Sequence, residues 1–172
     1  HVREKDGLWA VLLWLNVLAA TGQGVGDLLG AHWRRFGRTF YSRHDYEALP
    51  VPQAEAAMSQ LRGALDTLPG KTIAGIKVAA ADDFAYVDPV DGSVSKGQGL
   101  RVIFANGARI VLRLSGTGTE GATLRLYLEQ HSDDPETFGA DPQEMLAPVI
   151  AAAEELAGIA RHTGRIAPDV IT

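Results

Sequence analysis

The 172-residue sequence contains no cysteine. That excludes a disulfide scaffold, a thiolate zinc site and a cysteine nucleophile, and it fits a reducing compartment. Basic charge is scarce: 16 Lys and Arg stand against 21 Asp and Glu, for a net charge of −5. A protein that grips nucleic acid through bulk charge has the opposite balance, so no nucleic-acid partner is expected. Long apolar runs are missing too. The most apolar stretch, Leu8 to Ala20, is interrupted only by Asn16. It falls short of the roughly 20 residues that span a bilayer, so no membrane partner is expected. It reads as a helix buried in protein, and little that follows looks like its partner, which is expected upstream. The chain opens on His1 and the charged run HVREKDG, without a basic n-region or a cleavage pattern. No signal peptide is expected, and the expected location is cytoplasmic.

What is present is globular composition, with 46% hydrophobic and 22% charged residues. The length suits one full domain with a piece of another. Apolar spacing predicts helices over 8–20 and 25–36, the second closed by Gly37. A strand-rich pattern starts soon after, so a boundary is expected between a helical segment, 1–36, and a second domain, 37–172. Thr39 to Tyr46 is expected to be extended. Pro52 opens a helix carried over 54–68 by Ala57, Met58, Leu61, Ala64 and Leu65, and Pro69-Gly70 stops it. From Ile73 to Gln130 the signals are those of strands. Asn106-Gly107, between two β-rich runs, predicts a tight hairpin whose two central residues take positive φ. Asp141 and Pro142 start a last helix, expected to run to Gly164 with a bend at Pro148. The fold class is therefore α+β: an antiparallel sheet of about four strands with helices on one face.

One segment stands out chemically, Arg113-Leu-Ser-Gly-Thr-Gly-Thr-Glu-Gly-Ala-Thr-Leu-Arg125. Its loop, 115–121, combines three glycines with Ser115, Thr117 and Thr119. Glycines let successive backbone N–H groups converge on an anion, and hydroxyls add donors. Arg113 and Arg125 stand at the two ends, and a guanidinium grips phosphate through two parallel N–H bonds. Together they describe a phosphate socket. The same residues also fit a flexible connection with two surface arginines. No Gly-Lys-Ser/Thr follows, and a strand rather than a helix comes next, so neither a Walker loop nor a dinucleotide fingerprint is present.

Other candidates are weaker. The five histidines lack the i, i+4 spacing of a helical zinc site, and no metal ligand is expected. Asp82, Asp83, Asp88 and Asp91 lack the ligand spacing of a calcium loop, and Asp88-Pro89 and Asp91-Gly92 read as turns. Arg38, Arg43 and His44 add positive potential or form a solvated face.

In order along the chain, Arg3-Glu-Lys-Asp-Gly-Leu-Trp-Ala, Arg43-His-Asp-Tyr46, Asp88-Pro-Val-Asp-Gly-Ser, the Arg113–Arg125 segment and Gly164-Arg-Ile-Ala-Pro-Asp-Val-Ile-Thr172 resemble the phosphoglucomutases of the α-D-phosphohexomutase superfamily. The matching part is the end of the third of four domains plus the whole fourth. The resemblance implies a TATA-binding-protein-like domain, preceded by a helical remnant of an α/β domain. It implies interconversion of glucose 1-phosphate and glucose 6-phosphate through a phosphoserine and glucose 1,6-bisphosphate, with Mg²⁺. The partners it implies are a hexose phosphate and the remaining domains of the same enzyme.

Residue by residue, Arg113, Ser115, Gly116, Thr117 and Arg125 match the phosphate-contacting positions. Lys5 matches a lysine of the active cleft, a catalytic candidate, and Arg43 matches a rim position. The family's nucleophile, metal and sugar loops have no counterpart here, so the chain alone is expected to be inactive. A free-standing sugar-phosphate-binding module is the alternative.

Overall fold

The computed structural model describes residues 5–118 and 121–172. They form two compact units, one of residues up to 38 together with 132–139, the other of 39–131 together with 140–172.

The first unit is built on α1 (Gly7–Thr21) and α2 (Val25–Phe36). Asp6 caps α1 by accepting the Trp9 backbone N–H at 2.8 Å, and Gly22 ends it at φ +64. Both helices predicted over this region form. No residue of α1 is buried among the described residues, and Leu8 is 81% exposed. Its side chains are apolar on nearly every side, and Leu8, Val11, Leu12 and Leu15 are each more than half exposed. Among the described residues no single helix is long and apolar enough to cross a membrane; α1 and α2 reach that length only as a pair bent by 87°. Helix α2 places Asp27 in its first turn and Arg34 and Arg35 in its last, each matching the sign of the helix dipole. The Arg38 guanidinium lies 4.5 Å over the Trp33 ring and donates to the Phe138 carbonyl, tying 132–139 to α2.

The second unit runs β1 (Arg38–Leu49), α3 (Val51–Ala64), β2 (Thr72–Ile73), β3 (Ile76–Asp83), β4 (Tyr86–Val87), β5 (Val94–Ser95), β6 (Leu100–Phe104), β7 (Arg109–Gly118), β8 (Gly121–Ser132), α4 (Pro142–Ala157), α5 (Ile159–Thr163) and β9 (Val170–Ile171). One sheet has the order β2-β3-β6-β7-β8-β1-β9, and β4 pairs with β5 separately. Successive neighbours from β2 to β8 are antiparallel. Strands β8 and β1 also run in opposite directions, because Thr39 meets His131 at one end and Gly121 lies against Leu49 at the other. The sheet therefore has seven strands where about four were expected. Two of the extra ones, β2 and β9, are two residues long and carry no readable periodicity.

Alternation fixes which face is buried. Leu100, Val102 and Phe104 of β6, Ile110 and Leu112 of β7, and Ala122, Leu124, Leu126 and Leu128 of β8 all point to one side and are buried. Helix α3 meets them with Ala54, Ala57, Met58 and Leu61, at the i, i+3, i+4, i+7 spacing of one helical stripe, and α4 with Leu146, Val149, Ala153 and Leu156. The helices thus cover a single face, as expected, and the charged residues between these apolar ones are left on the other.

Two local expectations change. Only Gly107 takes positive φ in the β6–β7 hairpin, at +82, and its N–H bonds the Phe104 carbonyl at 3.0 Å. The connection is a three-residue loop closed by a left-handed glycine, with the Asn106 side chain accepting from the Ala108 N–H. The last helix is broken at Gly158, φ +56, into α4 and α5.

Tyr46 is buried in the core, and burial raises its phenol above the ordinary value of 10.0, with Glu154 and Asp169 adding to the effect. Above that pH the unfolded chain releases the tyrosine proton while the folded chain keeps it, so stability falls as pH rises. Tyr46→Phe is expected to flatten this decline, read as the difference between urea midpoints near neutrality and above about pH 10.

Candidate functional site

Strands β7 and β8 set the geometry. Their register places Arg113 directly opposite Arg125, Ser115 opposite Thr123, and Gly118 opposite Gly121. Paired residues in a ladder point to the same face, so both arginines emerge together on the side away from the helices. Between the last two pairs, 116 and 117 oppose Ala122 alone, which is a β-bulge, and Gly116 adopts φ +64 there. A bulge leaves the extra residue's backbone without a ladder partner. Of the loop expected over 115–121, residues 115–118 and 121 lie in the two strands, and the irregular backbone among them narrows to the bulge. Thr119, Glu120 and the Thr117 side chain lie outside the described residues. Ser115 is half-buried beside the bulge, and Gly116 is exposed.

Two glycines hold this corner in place. At Gly121, φ +97, a Cβ would come within 2.9 Å of the Leu49 carbonyl oxygen, so β8 can start against the end of β1 only without a side chain. At Gly99, φ +148, a Cβ would come within 2.8 Å of Val111 Cγ1 and 2.9 Å of Arg113 Cγ. Gly99 makes room for the aliphatic stem of Arg113.

The exposed face of the sheet carries a concavity of about 860 Å³ lined by Tyr41, Arg43, Phe84, Arg101, Arg113 and Tyr127, among others. Its guanidiniums are not equivalent. Arg101 makes two bonds to Asp82, at 3.0 and 2.6 Å, and lies 4.5 Å over the Phe84 ring. Arg109 bonds Glu129 at 2.6 Å. Arg113 pairs with no carboxylate among the described residues, and it also borders a second depression of about 440 Å³ beside α3.

Arg125 and Arg43 share one carboxylate. Asp45 is only 3% exposed, with Oδ1 3.0 Å from Arg43 Nε and Oδ2 3.8 Å from Arg125 Nε. Asp45 follows the alternation of β1, Tyr41-x-Arg43-x-Asp45, and so sits on the open face, beneath the two guanidiniums. The antiparallel run of β1 and β8 brings it level with Arg125. The candidates Arg113, Ser115, Gly116, Arg125 and Arg43 are therefore gathered on one side of one sheet. Lys5 is exposed and precedes Asp6, the cap of α1, in the other unit.

Sequence reasoning missed Asp45 and Gly99. A carboxylate inside a β-rich run, two residues after an arginine, was the available signal for Asp45; Gly99 carried none. Among the described residues no three His, Cys, Asp or Glu side chains gather to hold a metal ion. Asp88 and Asp91 accept the backbone N–H groups of Val90 and Ser93 at 2.7 and 2.8 Å, as turn residues do.

Gly121→Ala is expected to destabilise the fold by about 1–3 kcal/mol, since the φ and the Leu49 carbonyl both oppose a methyl group. Chemical denaturation of the variant measures it; an unchanged midpoint contradicts the close approach of β8 to β1.

Comparison with known proteins adds an independent line. The family description "Phosphoglucomutase-1, C-terminal domain" matches residues 38–169, and "Phosphoglucomutase/phosphomannomutase, alpha/beta/alpha domain III" matches residues 1–36. The chain is 56% identical over 172 residues to a phosphoglucomutase of Rhizobium radiobacter and 49% identical over 178 residues to phosphoglucomutase-1 of Oryctolagus cuniculus. Each alignment covers 100% of this chain and 32% of the relative, so the chain spans about a third of the length of the curated proteins it matches. The open form of the Paramecium phosphoglucomutase parafusin superposes with a TM-score of 0.85 at 42% identity, over 100% of this chain and 30% of that one. The bulged glycine hairpin, its two arginines and the sheet that carries them are those of a chain that belongs to the phosphoglucomutase family.

Proposed function

We propose that this chain is the phosphate-holding C-terminal part of a phosphoglucomutase that interconverts glucose 1-phosphate and glucose 6-phosphate through a phosphoserine and glucose 1,6-bisphosphate. The observation that carries this reading is the register of β7 and β8, which sets Arg113 and Arg125 side by side at a bulged, glycine-containing hairpin. Family membership supports the reaction class.

In this reading the chain binds the phosphate that is not reacting. The terminal N–H groups of Arg113 and Arg125 donate to its oxygens in charge-assisted bonds, each worth about 1.5–3 kcal/mol. The bulge amides at Gly116 and Thr117 and the Ser115 hydroxyl complete the grip, and Arg43 reaches the rim. Such a socket reads phosphate charge and shape and ignores which sugar carbon bears it. Both orientations of a bisphosphate therefore fit the same donors, which is what a reaction that turns its intermediate around requires. Burial of the bound ester under the rest of the enzyme excludes water, which otherwise consumes a phosphoenzyme.

Residues 1–36 are assigned to the end of the third domain and 37–172 to the fourth, so the exposed face of α1 belongs against the remainder of that domain. Lys5 is assigned to the reacting side of the cleft, as an electrostatic or proton-transfer participant. Mg²⁺ and the nucleophilic serine belong to the rest of the enzyme. The described residues do not fit a metal site, and no transfer step is assigned to them. The plant relatives named cytoplasmic, such as that of Solanum tuberosum, support a cytoplasmic location.

Inorganic phosphate or glucose 6-phosphate titrated into the isotope-labelled chain is expected to shift the Ser115–Gly118 amides. Arg113→Ala is expected to weaken that binding about tenfold or more. Equal shifts in both proteins contradict the assignment.

A further inference from the structure

The family reading accounts for the arginines that meet phosphate but leaves Asp45 without a task. A buried carboxylate is costly unless charge and hydrogen bonds compensate it, and one on the open side of a sheet calls for an explanation. Three elements cover it. Arg43 and Arg125 lie over its two oxygens at 3.0 and 3.8 Å. From the other side comes the 165–172 segment: the Asp169 N–H bonds the Asp45 carbonyl at 2.8 Å, and β9 pairs with β1 so that Val170 stands opposite Asp45.

That segment is itself fixed. Arg165 bonds Asp169 at 2.7 Å, Asp169 accepts the Glu47 N–H at 2.8 Å, and the Arg43 backbone exchanges two bonds with Thr172 at 2.7 and 3.0 Å. On the inner face, Ser42 and His44 are joined through Gln143, each at 2.8 Å. The backbone on both sides of Asp45 is therefore anchored, and its carboxylate has little freedom to follow Arg125.

The arginines are held loosely by comparison. Arg43 and Arg125 are 36% and 39% exposed at the side chain. Asp45 Oδ1 and both Nε atoms are buried without a well-oriented hydrogen bond. The carboxylate thus acts on the Nε edges through charge, while neither guanidinium spends its terminal nitrogens on a described residue. Those nitrogens are the ones that form a fork toward an oxyanion. Across the β7–β8 ladder, Arg113 has no carboxylate of its own, and like charges directly opposite each other repel. Without Asp45 the lower-energy arrangement is for Arg125 to swing away from Arg113.

We propose that Asp45 is a positioning residue of the phosphate site: it holds Arg125 by its Nε edge beside Arg113, and steadies Arg43 in the same way, so that their terminal N–H groups face the ester. Three guanidiniums against one carboxylate leave two positive charges, the complement of a doubly ionised phosphate monoester. This rests on the phosphate reading of Arg113 and Arg125.

The test uses the complete enzyme, with inorganic phosphate as a competitive inhibitor and glucose 1-phosphate as substrate. Asp45→Asn is expected to weaken phosphate inhibition about tenfold and to raise KM by more than it lowers kcat. In an Arg125→Ala background the same substitution is expected to weaken phosphate inhibition by clearly less than in the unmodified enzyme, because most of its effect passes through Arg125 and only the Arg43 share remains. Asp45→Glu, which keeps the charge, is expected to recover part of the loss. Should Asp45→Asn unfold the enzyme, the Arg43→Met/Asp45→Asn pair removes one uncompensated cation, and the same cycle is run on it. Equal losses with and without Arg125 make Asp45 a structural residue only and overturn the proposal. If Arg113→Ala and Arg125→Ala both leave phosphate inhibition unchanged, the phosphate reading fails and takes the Asp45 proposal with it. If they weaken it and Asp45→Asn does not, the Asp45 proposal alone fails.

Discussion

Two guanidiniums set opposite each other in an antiparallel ladder repel, and the arrangement around Arg113 and Arg125 is shaped by how that repulsion is contained. Water at the open face screens part of it. The rest falls to Asp45, which draws one of the two cations toward β1 and leaves the other without a carboxylate among the described residues. The result is a pair of positive forks held side by side and stabilised further by any dianion placed between them. In the proposed reading, a surface built this way turns the repulsion of its own charges into affinity for an oxyanion, which gives an acidic chain a use for a cationic corner.

The remainder of the fold supplies rigidity to that corner. Leu112 and Leu126 are paired across β7 and β8 on the inner face and are fully buried under α3 and α4. Because side chains alternate, fixing those leucines fixes the register, and the register is what places Arg113 against Arg125; a one-residue slip of either strand turns that strand's arginine toward the core and separates the pair. Gly121 lets β8 begin against the Leu49 carbonyl, and Gly99 clears the stem of Arg113. Local backbone freedom is used where two chains must approach closely, while the cations themselves are carried on regular strands.

Much of this was legible in the sequence, for reasons that can be stated. Asp141 before Pro142 and Gly37 after Phe36 mark helix ends through short-range chemistry, and both ends fall where expected. The β-rich runs on either side of Asn106-Gly107 read as two hairpin strands, and they form β6 and β7. Arg113 and Arg125 were found because they bracket a glycine-rich stretch, which is again local. What stayed hidden was long-range. Asp45 becomes meaningful only when β1 lies next to β8, a pairing between segments about eighty residues apart that no local pattern encodes. The clip of β9 onto β1 rests on two residues, too few for periodicity. The 115–121 stretch was read as an open loop because its glycines favour turns, yet 115–118 and 121 belong to the ladder, with a bulge absorbing the extra residue. The apolar sequence of α1 was read as calling for a partner outside the segments that follow it, and among the described residues it is indeed left unburied.

The account is tested most directly by a crystal structure of the complete enzyme with a hexose phosphate bound. It predicts the distal phosphate between the terminal nitrogens of Arg113 and Arg125, beside the Gly116 bulge, with Arg125 Nε still against Asp45. A phosphate bound elsewhere, with Arg125 turned away from Asp45 and from Arg113, contradicts it.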